Sequence, residues 1–393
     1  MIKLGQIYKI KTINNISNKG LKLLPENFKY SAEEENPDAI LVRSADLHDV
    51  EFPKSVRYIG RAGAGTNNIP VDRCAEEGIV VCNAPGANAN AVKELALTGM
   101  LLASRDIIGA VNWANNLEGH ENIKKDVEAG KKAFAGPELK GKTLGVIGLG
   151  ATGQLVASAG VEMGMKVIGY DPFLSIKNAL HLDTKVNYTE DIKEIFKNSN
   201  YISLHIPYSE ATKNIVNGEL LEIAKDGLVL LNIARGGLVD ITALKEYLEN
   251  GKVKKYVCDF PDEETITLPN TINLPHIGAS TPESEENSAK MVVEELIDYL
   301  ENGNIKNSVN FPNMDMGTCN SVHRILVLHR NIPSMIAQIT TILADEKVNI
   351  SDLLNRHKGK FAATMIDIDS EVDENLRKKL YAIKGVLRVR LIK

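Results

Sequence analysis

The sequence predicts an α/β protein built around a doubly wound parallel sheet, followed by a small α+β module at its C-terminal end. Three patterns lead to this prediction. Residues 143–171 read as strand, glycine-rich turn, helix and second strand. Apolar strands and amphipathic helices then alternate as far as His276, which is typical of a parallel sheet with helices on both faces. Residues 320–393 follow the order strand, helix, strand, strand, helix, strand, which predicts a four-stranded antiparallel sheet covered by two helices.

Composition limits the partners and the compartment. The 393 residues suffice for two or three domains, and 44% hydrophobic with 25% charged residues is ordinary for a soluble protein. A net charge of -5 gives no electrostatic reason to expect nucleic acid or an anionic membrane as the main partner. The N-terminal residues do not resemble a signal peptide, and no apolar run reaches the roughly 18 residues of a membrane helix. The four cysteines are scattered, so we expect no disulfide, no metal site and a cytoplasmic location.

The first segment, residues 1–86, predicts an α/β region of its own. Its short apolar runs Ala39–Val42 and Val56–Ile59 both end at polar or glycine-rich turns. In open α/β folds, such strand ends lie along the edge that binds ligands. The stretch that follows, Asn88–Ile107, has helical spacing and a long apolar face, which predicts a buried connecting helix or a dimer contact.

The glycine-rich turn is typical of a dinucleotide-binding site. Gly148 permits the tight turn, Gly150 lets a pyrophosphate approach the backbone, and Gly153 lets helix and strand pack closely. Asp171 follows the second strand about 18 residues beyond Gly153, close to the expected position of the carboxylate that bonds an adenosine ribose. A carboxylate there repels a 2′-phosphate, which favours NAD over NADP. The alternative is a glycine-rich turn in an ordinary βαβ unit.

Three side chains beyond this turn supply the groups that hydride transfer on a 2-hydroxy acid requires. Arg235, Glu263 and His276 each lie just past a predicted strand end. A guanidinium binds the substrate carboxylate, a histidine moves the hydroxyl proton, and a carboxylate orients that histidine. The alternatives are a surface ion pair, a solvated acidic turn and a structural histidine. His205, at another strand end, has no carboxylate close behind it and is expected to line the nicotinamide pocket.

The segments after His276 predict a long amphipathic helix over Pro282–Asn302 and then a polar stretch, residues 303–320. The composition of that stretch predicts a linker to the C-terminal module, residues 320–393.

Motifs spread over residues 40–300 resemble those of the D-isomer-specific 2-hydroxyacid dehydrogenases. They read VRS, GRAGAGTNNI, NAPGANANAVKELAL, VIGLGATG, YDP, SLHIPYSEATKNIVN, NIARGGLVD and NLPHIGAST. The resemblance implies a Rossmann-like NAD-binding domain, residues 87–282, inserted in a flavodoxin-like substrate domain, residues 1–86 and 283–311. It also implies that the helix from Asn88 makes the dimer contact.

The same resemblance implies the roles of the three catalytic candidates. Arg235 binds the substrate carboxylate and carbonyl, His276 is the acid/base, and a glutamate between them pairs with the histidine. The usual DVFxxEP motif is altered to DFPDEET, so alignment on Phe260 selects Glu263 while ungapped counting from Arg235 selects Glu264. We prefer Glu263, and the choice stays open. Asn67 stands where an aspartate is common, a difference expected to affect packing more than chemistry.

The resemblance further implies which residues contact cofactor and substrate. The cofactor-binding set is Gly148, Gly150, Ala151, Thr152, Gly153, Asp171, Pro172, His205, Pro207, Thr212, Ile233, Ala234, Arg235, Asp259, His276 and Gly278. The substrate-binding set is Arg43, Ser44, Gly63, Ala64 and Lys131, the last from a neighbouring subunit. In that set the backbone around Gly63 and Ala64 meets the carboxylate, and the cations bind a phosphate.

The C-terminal module resembles an ACT domain, a small-molecule regulatory module. Its ligand positions fall on His329, Asn331 and Asn349, and Ser334 stands where the family has glycine. A dehydrogenase of this family followed by one such module implies oxidation of 3-phosphoglycerate, L-serine as effector, and a homodimer or homotetramer. The alternatives are a dehydrogenase of another D-2-hydroxy acid and a non-catalytic, NAD-sensing binding protein.

Overall fold

The computed structural model describes residues 6–392, and the chain divides into two compact units. The first unit combines Met1–Ala87 with Pro282–Lys393, and the second unit is the continuous segment Asn88–Thr281. No helix among the described residues is long and apolar enough to cross a membrane.

The first segment forms a five-stranded parallel sheet. Its elements are β1 (Tyr8–Ile13), α1 (Asn18–Leu21), β2 (Phe28–Ser31), β3 (Ala39–Val42), β4 (Tyr58–Arg61), α2 (Val71–Glu76) and β5 (Val80–Asn83). The strand order β2-β1-β3-β4-β5 is that of flavodoxin-like sheets, as predicted. All four residues of β3 are buried, because both faces of this central strand are covered.

The second unit alternates strands and helices along its whole length. Its elements are α3 (Ala89–Ser104), α4 (Ile107–Asn115), α5 (Ile123–Gly130), β6 (Thr143–Ile147), α6 (Ala151–Glu162), β7 (Lys166–Tyr170), α7 (Ile176–His181), β8 (Val186–Thr189), α8 (Ile192–Asn198), β9 (Tyr201–Leu204), α9 (Gly218–Glu222), β10 (Leu228–Asn232), α10 (Ile241–Glu249), β11 (Val253–Cys258) and β12 (Thr271–Asn273). The strands form one parallel sheet in the order β12-β11-β10-β9-β6-β7-β8. The strand order reverses between β6 and β9, the switch point at which such sheets bind ligands. The doubly wound fold is therefore confirmed.

Three helices of this unit, α4, α5 and α7, were not expected from the sequence. The predicted helix Asn88–Ile107 ends at Ser104, because Arg105 is extended and the Asp106 side chain caps a new helix, α4. Neither α4 nor α5 buries a residue in this chain, and Ile108 and Val111 of α4 are 48% and 51% exposed.

The chain returns to the first unit through a long helix and ends in the C-terminal module. The elements are α11 (Pro282–Asn302), β13 (His323–Arg330), α12 (Met335–Asp345), β14 (Ile350–Lys358), β15 (Phe361–Ile368), α13 (Glu374–Tyr381) and β16 (Val386–Ile392). The four strands are antiparallel in the order β14-β15-β13-β16. This is the βαββαβ arrangement that the sequence predicts.

One face of the antiparallel sheet packs on α12 and α13, and the opposite face joins the core of the first segment. Ile325 and Val327 lie on the helix-covered face, whereas Leu326 and Leu328 share a core with Val292 of α11. Alternation along β13 separates the two sets, because successive side chains point to opposite faces.

The expectation of a linker over residues 303–320 is wrong. Phe311 and Met314 are buried in the core of the first unit. The Asn310 side chain accepts from Val81 N at 3.0 Å and donates to Ile79 O at 2.8 Å, so it bonds the backbone beside β5. The fully buried Arg324 donates to Asp367 and to three backbone carbonyls, one of them that of Met316. Polar side chains here satisfy buried backbone groups and are not a sign of a flexible connection.

Candidate active site

The glycine turn between β6 and α6 has the geometry that dinucleotide binding requires. Gly148 has φ +93°, and a Cβ there would lie 2.5 Å from His205 O. A Cβ at Gly153 would lie 1.8 Å from Gly148 O, so helix and turn approach too closely for any side chain. A Cβ at Gly150 would meet nothing within 4 Å, which leaves open space beside the backbone. The turn is therefore closed on its inner side and open on its outer side.

The start of α6 offers free backbone donors to a phosphate. Gly150 is the N-cap residue, and no side chain among the described residues caps it. Ala151 and Thr152 form the first turn, whose N–H groups lack partners within the helix. Because the helix dipole adds positive potential at the same point, these residues fit a pyrophosphate group.

Asp171 is fixed against the glycine turn. Its Oδ2 accepts from Leu149 N at 2.9 Å, and its Oδ1 accepts from Phe173 N at 2.9 Å. Each oxygen keeps a further lone pair, so the carboxylate remains able to accept from a ribose hydroxyl. Pro172 follows on the exposed side of this turn.

Arg235 lies in a turn that a buried asparagine holds at the end of β10. Asn232 is 1% exposed; its Nδ2 donates to Arg235 O at 2.7 Å, and its Oδ1 accepts from Ala234 N at 3.2 Å and Arg235 N at 3.3 Å. The exposed guanidinium donates to Ala234 O at 2.7 Å and forms no ion pair with any described carboxylate. It is therefore free to bind an anionic substrate.

His276 has a backbone conformation that is unusual for a residue with a side chain. Its φ is +54°, in the left-handed region, which costs of order 1–3 kcal/mol for a non-glycine residue. The next two N–H groups, of Ile277 and Gly278, donate to Asp259 Oδ1 and Oδ2, both at 2.9 Å. Asp259 is 1% exposed at the end of β11. A buried carboxylate thus holds the strained segment that presents the histidine.

Phe260 contacts both Arg235 and His276. The Phe260 and His276 ring centroids are 4.6 Å apart at 50°, and the Arg235 guanidinium carbon lies 6.0 Å from the Phe260 centroid. The structure therefore brings these two predicted site residues to one aromatic ring. In the sequence, Phe260 served only to align the altered motif, and its position at the end of a predicted strand was the available signal.

The acidic turn beside this group does not decide between the two glutamates. Asp262 Oδ1 accepts from Glu264 N at 3.2 Å and from Thr265 N at 2.8 Å, and the Thr265 bond is the main reason why the pKa of Asp262 is lowered. Glu263 and Glu264 are both exposed. Within the described residues, neither carboxylate hydrogen-bonds the His276 ring.

His205 is unsuited to the acid/base role. Its Nε2 lies 2.8 Å from Ser203 Oγ, and burial lowers the pKa of its imidazole to about 4. It therefore stays neutral near pH 7, which fits the expectation that it lines a pocket. Thr212 Oγ1 donates to Pro207 O at 2.8 Å and closes the loop after β9.

The remaining cofactor positions in the second unit lie at the same carboxyl edge of its sheet. Ile233 follows β10 and is 4% exposed. A Cβ at Gly278 would lie 3.0 Å from Asp259 Oδ2, so only glycine accepts this contact without a shift. No group of three or more His, Cys, Asp or Glu side chains in the part of the chain that the structure describes could hold a metal ion.

The predicted substrate residues of the first unit lie at the ends of β3 and β4. Arg43 Nη2 donates to Glu285 Oε1 of α11 at 2.5 Å, so its guanidinium is already paired. Ser44 N donates to Asn14 Oδ1 at 3.0 Å. Gly63 has φ +150°, and Ala64 O accepts from Asn83 Nδ2 at 2.5 Å. Glu285 could not be predicted as a partner of Arg43 from the sequence, because the two residues lie 242 positions apart.

Lys131, in the second unit, lies in a 3-10 turn after α5. Its exposed ammonium pairs with Glu128, three residues earlier. Surface pairs of this kind contribute little, so Lys131 is available to another partner.

The three predicted ligand residues of the C-terminal module do not come together within one chain. His329 is 2% exposed, with Nδ1 2.8 Å from Arg330 O and Nε2 2.9 Å from Thr364 Oγ1. Asn331 Nδ2 donates to Gly359 O at 3.2 Å beside the start of β15. Asn349 precedes β14 at the opposite end of the sheet, where Ile350 pairs with Ile368. Ser334 has φ +65°, the conformation for which glycine is favoured.

Comparison with known proteins identifies the family. Residues 100–278 match the model described as "D-isomer specific 2-hydroxyacid dehydrogenase, NAD binding domain". A hydroxypyruvate reductase of Thermotoga maritima is 39% identical over 67% of this chain and 85% of its own length. The chain belongs to the D-isomer-specific 2-hydroxyacid dehydrogenase family. Its second unit carries the family's NAD-binding domain, and the prediction of NAD as cofactor is confirmed.

Two further relatives are phosphoglycerate dehydrogenases. The D-3-phosphoglycerate dehydrogenase of Methanocaldococcus jannaschii is 35% identical over 84% of this chain. This chain spans 62% of that relative, less than two thirds of its length. A crystal structure of NAD+-bound 3-phosphoglycerate dehydrogenase from Entamoeba histolytica superposes with a TM-score of 0.59 at 27% identity, covering 77% of this chain and 98% of the other.

Proposed function

We propose that this family member oxidises D-3-phosphoglycerate to 3-phosphohydroxypyruvate with NAD, the first step of L-serine biosynthesis. The observation that carries the proposal is the group of Arg235, Phe260 and His276 at the carboxyl edge of the NAD-binding sheet. A free guanidinium and an exposed imidazole on one aromatic ring match the two functions that a 2-hydroxy acid demands: anion binding and proton transfer.

Each of these side chains has a separate role in the reaction. Arg235 binds the substrate carboxylate through two parallel hydrogen bonds. Neutral His276 accepts the proton of the C2 hydroxyl as the C2 hydrogen departs as hydride, which leaves a 2-oxo acid. In the reverse direction protonated His276 donates that proton. Bound NAD supplies the hydride acceptor. Glu263, or Glu264 in its place, orients the histidine.

NAD binding in this proposal uses the turn and strand ends described above. Gly150, Ala151 and Thr152 offer backbone donors to the pyrophosphate, and Asp171 accepts from the adenosine ribose. The residues that would line the nicotinamide are His205, Pro207, Ile233 and the segment whose backbone Asp259 holds.

The substrate phosphate is assigned to cations outside the catalytic group. Arg43 with Ser44 is the first choice and Lys131 of a neighbouring subunit the second, while the backbone at Gly63 and Ala64 meets the carboxylate. Since Arg43 pairs with Glu285, phosphate binding requires Arg43 to leave or share that partner.

The match with M. jannaschii phosphoglycerate dehydrogenase also supports the proposal. It covers 84% of the chain, a larger share than residues 1–311 make up, and so includes part of the C-terminal module.

Oligomerisation and regulation form part of the same proposal. The apolar side chains that α4 leaves exposed, Ile107, Ile108 and Val111, support a homodimer or homotetramer. L-serine is proposed as effector at His329, Asn331 and Asn349; since these lie at opposite ends of one sheet, a complete site requires two chains. The four cysteines are free thiols, which supports a cytoplasmic location.

A second candidate substrate is another D-2-hydroxy acid, favoured by the 39% identity to a hydroxypyruvate reductase. Steady-state NAD reduction with 3-phosphoglycerate, D-glycerate and D-lactate distinguishes the two, with and without L-serine. We expect the highest kcat/KM for 3-phosphoglycerate and inhibition by L-serine. Preference for D-glycerate or D-lactate overturns the substrate assignment, and indifference to L-serine overturns the effector assignment.

A further inference from the structure

The first unit contains a large cavity with a basic wall, here called the arginine cavity. Its volume is about 1,020 Å³, and it lies between the segment before β4, helix α2, and α13 with β16 of the C-terminal module. Among the described residues, its walls carry six cationic side chains: Lys54, Arg57, Arg73, Arg377, Arg388 and Arg390. Three carboxylates of the same residues 6–392 line it, those of Glu51, Glu77 and Glu374.

Three of the six cations have structural partners that account for them. Arg57 Nη2 donates to Asp38 Oδ1 at 2.6 Å, and Arg377 Nε donates to Glu374 Oε2 at 2.6 Å. Arg73 donates to three backbone carbonyls between residues 47 and 50 and approaches Glu77 at 3.8 Å. The charges of these three side chains are therefore balanced by carboxylates and backbone carbonyls of the chain itself.

For Arg388 and Arg390 the contacts are with backbone oxygens and, for Arg390, also with the Tyr299 ring, whose centroid lies 4.4 Å from the guanidinium carbon. Arg388 donates to the backbone oxygens of Lys54 at 3.5 Å and Glu77 at 3.2 Å. Arg390 donates to those of Tyr299 and Leu300, both at 2.8 Å. Among the described residues, neither guanidinium forms an ion pair with a carboxylate. Burial lowers the pKa of each, and the charge of Arg57 lowers it further, as expected for cations crowded together without anions.

Two buried donors on the same wall lack partners. Arg390 is 6% exposed, and its Nε makes no hydrogen bond in the described part of the chain. Ser55 Oγ is likewise buried without a partner. Buried polar groups are normally satisfied, so two orphan donors beside two guanidiniums without carboxylate partners favour an anionic ligand at this wall.

We propose that the arginine cavity binds an organic phosphate, with Arg388 and Arg390 facing its phosphate group and Ser55 donating to it. Guanidiniums match phosphate oxygens in paired hydrogen bonds, whereas a single carboxylate offers fewer acceptors for this many donors. The cavity is far larger than inorganic phosphate requires, and Phe52 and Tyr381 line the space for an organic portion.

This site shares no residue with the catalytic group or with His329, Asn331 and Asn349. Its wall comes from both the first segment and the C-terminal module. A ligand there bridges the two and stabilises their association by mass action. The site is thus a point at which a phosphorylated metabolite acts on the C-terminal module.

Calorimetric titration of the full-length chain in saturating NAD, which occupies the proposed nucleotide site, tests the proposal. The probes are glycerol 3-phosphate and AMP, with glycerol and adenosine as their unphosphorylated counterparts and inorganic phosphate as the minimal anion. We expect one of the two organic phosphates to bind more tightly than inorganic phosphate and neither unphosphorylated compound to bind. Failure of both organic phosphates to bind overturns the proposal, and so does binding of inorganic phosphate as tight as theirs, since the cavity then holds no organic portion.

Variants assign the binding to this cavity. Arg388→Gln is expected to raise the dissociation constant at least about tenfold, since a hydrogen bond between charged groups is lost. Lys379→Gln removes the same charge from α13 outside the cavity and is expected to bind as the wild type does. Ser55→Ala, expected to weaken binding about fivefold, serves if Arg388→Gln fails to fold, because Ser55 Oγ has no partner to lose. Unchanged binding in the folded cavity variants places the anion elsewhere and overturns the proposal.

Discussion

Asp259 Oδ2 lies 2.9 Å from the backbone nitrogen of Gly278, and through this bond a buried carboxylate fixes the segment that presents His276. Both carboxylate oxygens are used, the other by Ile277 N. The arrangement explains how a histidine persists with φ +54°, because strained backbone survives where its surroundings determine it. Asp259 was expected to contact the cofactor, and the structure adds this positioning role.

Replacing Asp259 is therefore expected to impair catalysis through His276. Asp259→Ala leaves two backbone N–H groups without partners, each worth about 1–3 kcal/mol, and lets the segment relax. We expect kcat to fall on the order of 100-fold. Asp183→Asn, at an exposed turn of the same unit, is the control and should retain wild-type kcat. Wild-type turnover in a folded Asp259→Ala would contradict the role.

Phe260 is expected to align Arg235 and His276. Phe260→Ala removes a ring contact worth about 0.5–1.5 kcal/mol and a cation–π contact worth about 0.5–1 kcal/mol. The expected loss in kcat/KM is about 5- to 50-fold, because the guanidinium and the imidazole lose the ring that both contact. Phe260→Leu restores bulk but not the ring and should recover little. Phe173→Ala, a ring that is 92% exposed, should leave kcat/KM unchanged.

Breaking the ion pair between Arg43 and Glu285 is expected to improve substrate binding, whereas the substitutions above impair activity. If Arg43 binds the substrate phosphate, Glu285→Gln frees its guanidinium and lowers KM for 3-phosphoglycerate. Exposed ion pairs contribute about 0.2–1 kcal/mol, so the decrease is at most about fivefold. KM for D-glycerate, which lacks the phosphate, should not change. Glu286→Gln breaks only the Lys19 pair and is the control. An equal change in KM for both substrates would show that Arg43 does not bind the phosphate.

The buried carboxyl group of Glu295 is expected to make the free energy of unfolding depend on pH. It is 6% exposed, and burial raises the pKa of its carboxyl from 4.5 to about 8. Between these values the folded state binds a proton at Glu295 that the unfolded state lacks, so the contribution of Glu295 to stability is most favourable at low pH and becomes less favourable as pH rises to 8. The slope is at most about 1.4 kcal/mol per pH unit.

Urea unfolding at several pH values measures this effect. Glu295→Gln keeps the side-chain contact with Asn307, which at present bonds Oε1 at 2.6 Å, and removes the titration. It should flatten the pH dependence and stabilise the protein at pH 8. Glu294→Gln, on the exposed side of the same helix, should leave the slope intact. A wild-type slope in Glu295→Gln would show that another group titrates.

Local sequence patterns were sufficient for much of the fold. The glycines at 148, 150 and 153 and the following acid define a βαβ unit within one short stretch, and helix α11 has the predicted bounds. The linker over residues 303–320 was mispredicted because composition does not reveal that Asn310 would bond the backbone beside β5, more than 200 positions away in the sequence.

The candidate active site could likewise be predicted only in part from the sequence. Arg235 and His276 could be predicted because each follows a strand end in a parallel sheet, where ligands bind. Their shared contact with Phe260 and the bonds from Asp259 depend on how β10, β11 and the loop after β12 lie side by side. Helix α4 was missed because the sequence prediction extended the preceding helix to Ile107, and the break between the two helices depends on the extended backbone of Arg105 and the cap by Asp106.

The central claim is that His276 is the acid/base of an NAD-dependent 2-hydroxyacid dehydrogenase. The most direct measurement is kcat for NAD reduction with 3-phosphoglycerate in wild type, His276→Ala and Arg235→Ala, with circular dichroism to verify folding. General acid/base catalysis contributes about 10²- to 10⁴-fold, so we expect folded His276→Ala to lose at least about 99% of turnover and Arg235→Ala to lose most of it. Wild-type kcat in folded His276→Ala would contradict the account.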